Sequence, residues 1–255
     1  MEIFDSHSHY NDEKFNEDRE EILNEVYKSG VTKLVVAGYS LKSSKEAIQI
    51  ANEHEFIYAI CGVSPNDVEG LQNDYLKQIG KMASNKKVVA IGEIGLDYYW
   101  NKDNKELQKK VFKEQIELAN ELDLPIVIHT REAVMDTINI LKNEIECKNT
   151  GVFHCCPLNI ELIKEALKLG YYISFAGPVT FKNSKNANQV IEIVPLDRIL
   201  VETDCPYLSP EPLRGTRNDS RNLKYTIAKI AEVKNIEVEE IAKITYENAK
   251  RIFKI

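Results

Sequence analysis

The chain has 255 residues, 40 Asp and Glu against 33 Lys and Arg, a formal net charge of −7 and 43% hydrophobic residues. That length suits a single domain, residues 1–255, since an α/β barrel runs to about 250 residues, and the composition supports a packed core rather than global disorder. An acidic balance excludes a general basic coat as the means of holding nucleic acid, but not a nuclease whose bound metals supply local positive charge.

The start, Met1–Ser6, runs straight into a short apolar strand with no secretory pattern, and no apolar stretch approaches the ~20 residues needed to cross a bilayer. No membrane partner is expected. Cys61, Cys147, Cys155, Cys156 and Cys205 form an odd, irregularly spaced set. They read as free thiols in a reducing, cytoplasmic setting, and the lack of a CxxC pair argues against a finger-type zinc site.

In chain order, short β-branched runs recur at Ile3–Asp5, Lys33–Gly38, Ile57–Val63, Val88–Gly95, Pro125–Thr130, Gly151–Cys156, Tyr171–Gly177 and Ile199–Asp204. Several are apolar nearly throughout, as strands buried on both faces of a parallel sheet require. The segments between them have helical period. Val111, Phe112, Leu118, Ala119 and Leu122 fall on one face, as do Ala187, Val190, Ile191 and Val194. Eight such strand–helix units predict a closed (β/α)8 TIM barrel, with an open doubly wound sheet as the structural alternative. Asp219–Ile255 reads as two helices separated near Asn235, closing the last unit and capping the barrel.

The ionisable residues then fall into register. In Asp5-Ser6-His7-Ser8-His9 the two histidines lie two apart and project together. Glu93 ends the fourth run, His129 the fifth, His154 the sixth and Asp204 the eighth, while His54 reads as a surface residue. The C-terminal ends of barrel strands are where active sites are built. A single strand-end histidine is usually just a hydrogen-bonded polar residue. Four of them with two carboxylates suit borderline divalent ions, and six ligands are too many for one tetrahedral ion.

With these residues in place, the chain resembles the TatD-type metal-dependent deoxyribonucleases of the amidohydrolase superfamily. The likeness runs nearly end to end: DSHSH (family form D-x-H-x-H), GEIGLDYYW, PIVIHTREA, GVFHC, ILVETDCPYL, RGTRN and NAKRIF. The resemblance implies two divalent ions, Mg, Mn or Zn. His7 and His9 would bind one ion, His129 and His154 the other, and Glu93 would bridge both. Asp204 would join the first ion's site and act as general base on the attacking water. DNA is the implied partner, with no obligate protein partner.

The sequence departs from the family where it commonly carries further histidines. Gly62-Val63-Ser64-Pro65-Asn66 has none, and Leu213 stands ahead of Arg214-Gly215-Thr216-Arg217-Asn218. Ser64 and Asn66 can still donate hydrogen bonds on the substrate side. Arg131 and Arg217, with Arg214, could grip phosphate or be spent on surface acids. Tyr98, Tyr99 and Trp100 could stack on a base or pack as a lid. Cys155 and Cys205 adjoin ligands but alternate away from them, which favours packing. Cleavage of DNA phosphodiesters is the expected function. The alternatives are a superfamily hydrolase of a small amide, lactone or phosphoester, or a metal-bound DNA-binding protein with little turnover.

Overall fold

The apolar runs are the strands of one sheet. In the computed structural model, which describes residues 1–255, they are β1 (Ile3–Ser8), β2 (Val31–Ala37), β3 (Ile57–Cys61), β4 (Val88–Asp97), β5 (Ile126–Arg131), β6 (Gly151–Phe153), β7 (Tyr172–Phe175) and β8 (Ile199–Val201). Their order in the sheet follows the sequence, and every neighbouring pair is parallel. The helices are α1 (Arg19–Lys28), α2 (Leu41–Glu53), α3 (Tyr75–Ala83), α4 (Lys105–Leu122), α5 (Val134–Asn139), α6 (Ile160–Lys168), α7 (Ala187–Ile193), α8 (Leu223–Lys234) and α9 (Val238–Phe253). This is the (β/α)8 barrel, not the open sheet.

The ends of the sheet meet at β1 and the segment after β8. The Asp204 N–H donates to the His7 carbonyl at 3.0 Å and the His9 N–H to the Cys205 carbonyl at 2.8 Å. Behind this seam lies Asp5, fully buried. Its carboxylate accepts from the Thr203 N–H (3.0 Å), the Thr203 hydroxyl (2.6 Å) and the Ser220 hydroxyl (2.6 Å). Burial pushes the Asp5 carboxyl up to about 7, against the pull of those donors.

Inside the barrel, Phe4, Val35, Ile60, Val89, Val127, Val152, Tyr172 and Leu200, one from each strand, pack together with Ala249, Ile252 and Phe253 of α9. An apolar seal at the α9 end leaves polar side chains for the other mouth. Of the two C-terminal helices, only α9 caps the barrel. Leu223, Ile227 and Ile230 of α8 are buried in the outer layer between strands and helices, so α8 is the eighth barrel helix. Asn235, left-handed at φ 52°, ends α8 near the expected break.

Strand boundaries differ from the sequence reading in ways that move the site. β1 continues to Ser8, so His7 is within it, and β4 continues to Asp97, so Glu93 is in its interior. β6 and β8 stop early, leaving His154 and Asp204 just beyond them. The backbone leaves extended geometry there, with φ 42° at Cys155 and 56° at Asp204. Leu122, expected on the buried face of α4, is exposed, because it is the last residue before the chain turns at left-handed Asp123.

Gly95 is where close packing touches the site. It has φ +141°, and a Cβ there would meet the His129 carbonyl oxygen at 2.0 Å. Gly95→Ala should therefore cost more than the ~1 kcal/mol of a strain-only change. Gly170→Ala, at φ +84° with open space around it, is the strain-only control. At about 2–4 °C of Tm per kcal/mol for a domain of this size, thermal unfolding should rank Gly95→Ala clearly below Gly170→Ala. Metal analysis should show loss in the Gly95 variant alone, because β5 must shift under His129.

Candidate metal centre

β1, β4, β5 and the segments after β6 and β8 deliver six side chains to one place. Glu93 is only 8% exposed, and its two oxygens face different neighbours. Oε1 lies 3.0 Å from His129 Nδ1 and 3.3 Å from His154 Nε2. Oε2 lies 3.5 Å from His7 Nε2 and 3.8 Å from His9 Nε2. Asp204 Oδ1 completes the second group, 3.2 Å from His9 Nε2 and 3.7 Å from His7 Nε2. The two groups touch through the His7 and His154 rings, stacked at 4.1 Å between centroids.

These residues fit a divalent cation. Two ligand atoms about 2.1 Å from a tetrahedral ion stand roughly 3.4 Å apart, and the spacings above run from 3.0 to 3.8 Å. The His7 and His9 Nε2 atoms face each other at 3.2 Å, and His129 Nδ1 faces His154 Nε2 at 3.1 Å. Ring nitrogens paired nose to nose share at most one proton, whereas a cation satisfies all of them. His7, His9 and Asp204 can hold one ion, and Glu93, His129 and His154 another, the ligand atoms of each set lying within 4.8 Å of one another.

The charges are mutually dependent. Burial would raise the Glu93 carboxyl, but His154, His129 and His7 outweigh it and hold it well below the usual range. Asp204 is likewise raised by burial and pulled further down, to about 2, chiefly by His9. Burial lowers His154, yet Glu93 and Glu202 bring it well above its ordinary value. His7, buried and beside His154, is lowered.

Behind the candidate ligands stand two acids, Asp97 and Glu202, that lie within the GEIGLDYYW and ILVETDCPYL segments and carry no ligand role by sequence pattern alone. Asp97 Oδ2 lies 2.9 Å from His129 Nε2, which directs His129 Nδ1 toward Glu93. Glu202 is fully buried. It accepts the Cys155 N–H at 2.7 Å and lies 3.4 Å from His154 Nδ1. The available signals were positional: Asp97 closes the GEIGLD run, and Glu202 stands two residues before Asp204.

The expected substrate contacts are scattered. The Ser64 hydroxyl is committed to its own turn, donating to Asp67 at 2.8 Å. The Asn66 amide points back to Asp97 Oδ2 at 3.4 Å. Arg217 pairs with Asp18 and donates to the Lys14 carbonyl at 2.7 Å, so its guanidinium is spent on the surface. Arg131 is exposed, with its guanidinium 3.8 Å over the Tyr99 ring. His54 pairs with Glu20 away from the site. Cys155 and Cys205 take no part in either ligand group.

Asp97→Asn would set an amide NH2 against His129 Nε2 or turn it toward the Tyr99 and Trp100 N–H groups. Loss of such an outer partner typically weakens metal affinity about 10–100-fold. Chelator competition should show that drop, with circular dichroism unchanged.

Comparisons with known proteins place the chain among relatives of one family. Residues 4–254 match the family described as TatD related DNase. The chain is 44% identical over 253 residues to the uncharacterized metal-dependent hydrolase YabD of Bacillus subtilis, covering 99% of each. It is 35% identical over 260 residues to the uncharacterized metal-dependent hydrolase YcfH of Escherichia coli K12, covering all of this chain and 97% of that one. The crystal structure of the TatD homologue YjjV from E. coli superposes with a TM-score of 0.93 at 27% identity, over 99% of this chain and 98% of that one. With a family match along almost its whole length and the ligand residues gathered at the barrel mouth, the chain belongs to the TatD family of metal-dependent hydrolases.

Proposed function

We propose that the protein hydrolyses DNA phosphodiester bonds at a centre of two divalent cations, Mg, Mn or Zn, bridged by Glu93. The observation that carries the two-cation reading is the split of one buried carboxylate, with Oε1 toward His129 and His154 and Oε2 toward His7 and His9. The DNA substrate draws support from the family match. A chain of net charge −7 can take a polyanion at such a site because bound cations reverse the local sign.

When bound, divalent cations supply Lewis acidity toward a phosphoryl oxygen and make water easier to deprotonate. The chain's own groups do the rest. With cations bound, His7, His9, His129 and His154 would present unprotonated nitrogens to them, and Asp97 orients the His129 ring. Asp204 is ionised over the whole working range, being held down to about 2. Asp204, at the edge of the cluster beside His9, is placed to accept a proton from a water held there. The walls of the site are buried, which keeps these charges poorly screened. All five cysteines are free, in keeping with a reducing, cytoplasmic setting.

End-labelled single- and double-stranded oligonucleotides, incubated with protein loaded with each metal, test this reading. Cleavage should require metal and stop with chelator. Asp204→Asn at retained metal occupancy should lower turnover about 100- to 10,000-fold, and turnover within threefold of wild type would remove its role as base. Glu93→Gln should lose occupancy at both sites. Two retained ions would contradict the bridge, and hydrolysis of small amides or lactones but not oligonucleotides would move the substrate elsewhere in the superfamily.

A further inference from the structure

The loop after β4 has an unusual surface. Trp100 is 68% exposed and Tyr99 46%. Tyr98, by contrast, is buried, with its hydroxyl donating to Asp136 at 2.6 Å. The aromatic run thus divides into one packing residue and two presented outward. Leaving a tryptophan two-thirds in water forgoes the stabilisation its burial would provide, and nothing in the fold requires it there.

The loop is built to hold these rings still. Asp97 Oδ1 accepts the N–H groups of Tyr99 (2.9 Å) and Trp100 (3.1 Å), and the Tyr98 N–H donates to the Arg131 carbonyl at 2.9 Å. Buried Gln108 donates to the carbonyls of Asp97 and Asn101, each at 3.1 Å. A lid would need this backbone free, and it is not. The Tyr99 ring is flanked by Arg131, 3.8 Å over its face, and by Trp100, edge-on with centroids 4.8 Å apart. Tyr99 is therefore a buttress, and the surfaces left for a ligand are the open face of Trp100 and the outer plane of the guanidinium. The guanidinium also stands 5.5 Å from the Trp100 ring centroid, so the two surfaces adjoin; both are flat, and one is cationic, which is the chemistry that takes a nucleobase joined to a phosphate.

The same carboxylate that anchors the rings serves the metal centre, since Asp97 Oδ2 meets His129 Nε2 at 2.9 Å. The platform sits at the rim on the His129 side, held in register with it by one side chain. We propose that Trp100, buttressed by Tyr99 and flanked by Arg131, is a stacking platform for the base of a nucleotide whose phosphodiester lies at the Glu93 centre, a specificity site that rests on the nucleolytic reading above. Stacking discriminates little between bases, because every base has a π-face. It does discriminate against duplex, where both faces of a base are already covered. The platform thus selects unpaired nucleotides, in single strands and at frayed ends.

Trp100 is the chain's only tryptophan, so its fluorescence reports on the platform alone. Metal-loaded protein is titrated with deoxyadenosine monophosphate, which contains no diester to cleave, and with deoxyribose 5-phosphate, which lacks the base. The nucleotide should quench the emission and the sugar phosphate should not. In parallel, KM is measured on a single-stranded oligonucleotide and on one of equal length with abasic residues. The wild-type preference for the base-bearing substrate should collapse about tenfold in Trp100→Ala, within the range one base–aromatic stack is worth. It should return in Trp100→Phe, which keeps a ring. Equal quenching by both ligands, or a preference unchanged in Trp100→Ala, overturns the platform while cleavage by wild type leaves the nuclease standing. Quenching by the nucleotide without cleavage of any oligonucleotide keeps the base site and overturns the nuclease. Neither quenching nor cleavage removes both.

Discussion

The Glu93 carboxylate is the group on which the rest of the site depends. A buried charge is costly unless it is paired, and here four imidazoles surround it, two to each oxygen. The imidazoles are in turn placed so that no arrangement of their own protons satisfies every nitrogen. His7 Nδ1 has no partner at all. A bound metal ion would relieve this, so metal binding and the stability of this end of the barrel would be coupled. The barrel makes the arrangement possible by bringing His9 and Asp204, 195 residues apart, to 3.2 Å.

The two ends of the barrel carry different loads. At the N-terminal end the interior is aliphatic and aromatic and is sealed by Ile252 and Phe253 of α9. At the other end the interior side chains become Ser6, His7, Glu93 and His154, and apolar packing gives way to hydrogen bonds and charge. Asp5 sits at this change, tying β1 to the segment after β8 through Thr203 and Ser220. Stability at this seam therefore comes from a fully satisfied polar network, whose members have no apolar substitute of the same reach.

Around the centre, several polar side chains are already occupied. Arg217 is held by Asp18, Ser64 by Asp67, and Asn66 leans on Asp97. On the nucleolytic reading, phosphate recognition would fall chiefly to bound cations and Arg131, and contact with the base to the exposed rings beside it. Asp97 links these parts, because one oxygen orients a ligand of the centre and the other fixes the loop that carries the rings.

The pattern of the sequence was enough to read the fold class and the six side chains that converge at the barrel mouth. Fully apolar strands with amphipathic segments between them leave few architectures open, and histidines gathered at strand ends have no reason to be there in a core. The same pattern marked the break at Asn235 and the buried face of α7. The folded chain was needed to show which acids stand behind these side chains. Asp97 and Glu202 look like any other strand-end carboxylates until His129 and His154 are seen against them. It decided too that Arg217 is spent and Arg131 free, because an arginine's partner is set by which loop lies within reach, as Asp18 does across 199 residues. And it separated Tyr98 from Tyr99 and Trp100, adjacent residues of like chemistry. Their division into core and surface follows from where Asp97 turns the chain, since its side chain captures the next two exposed N–H groups and no local pattern records that capture.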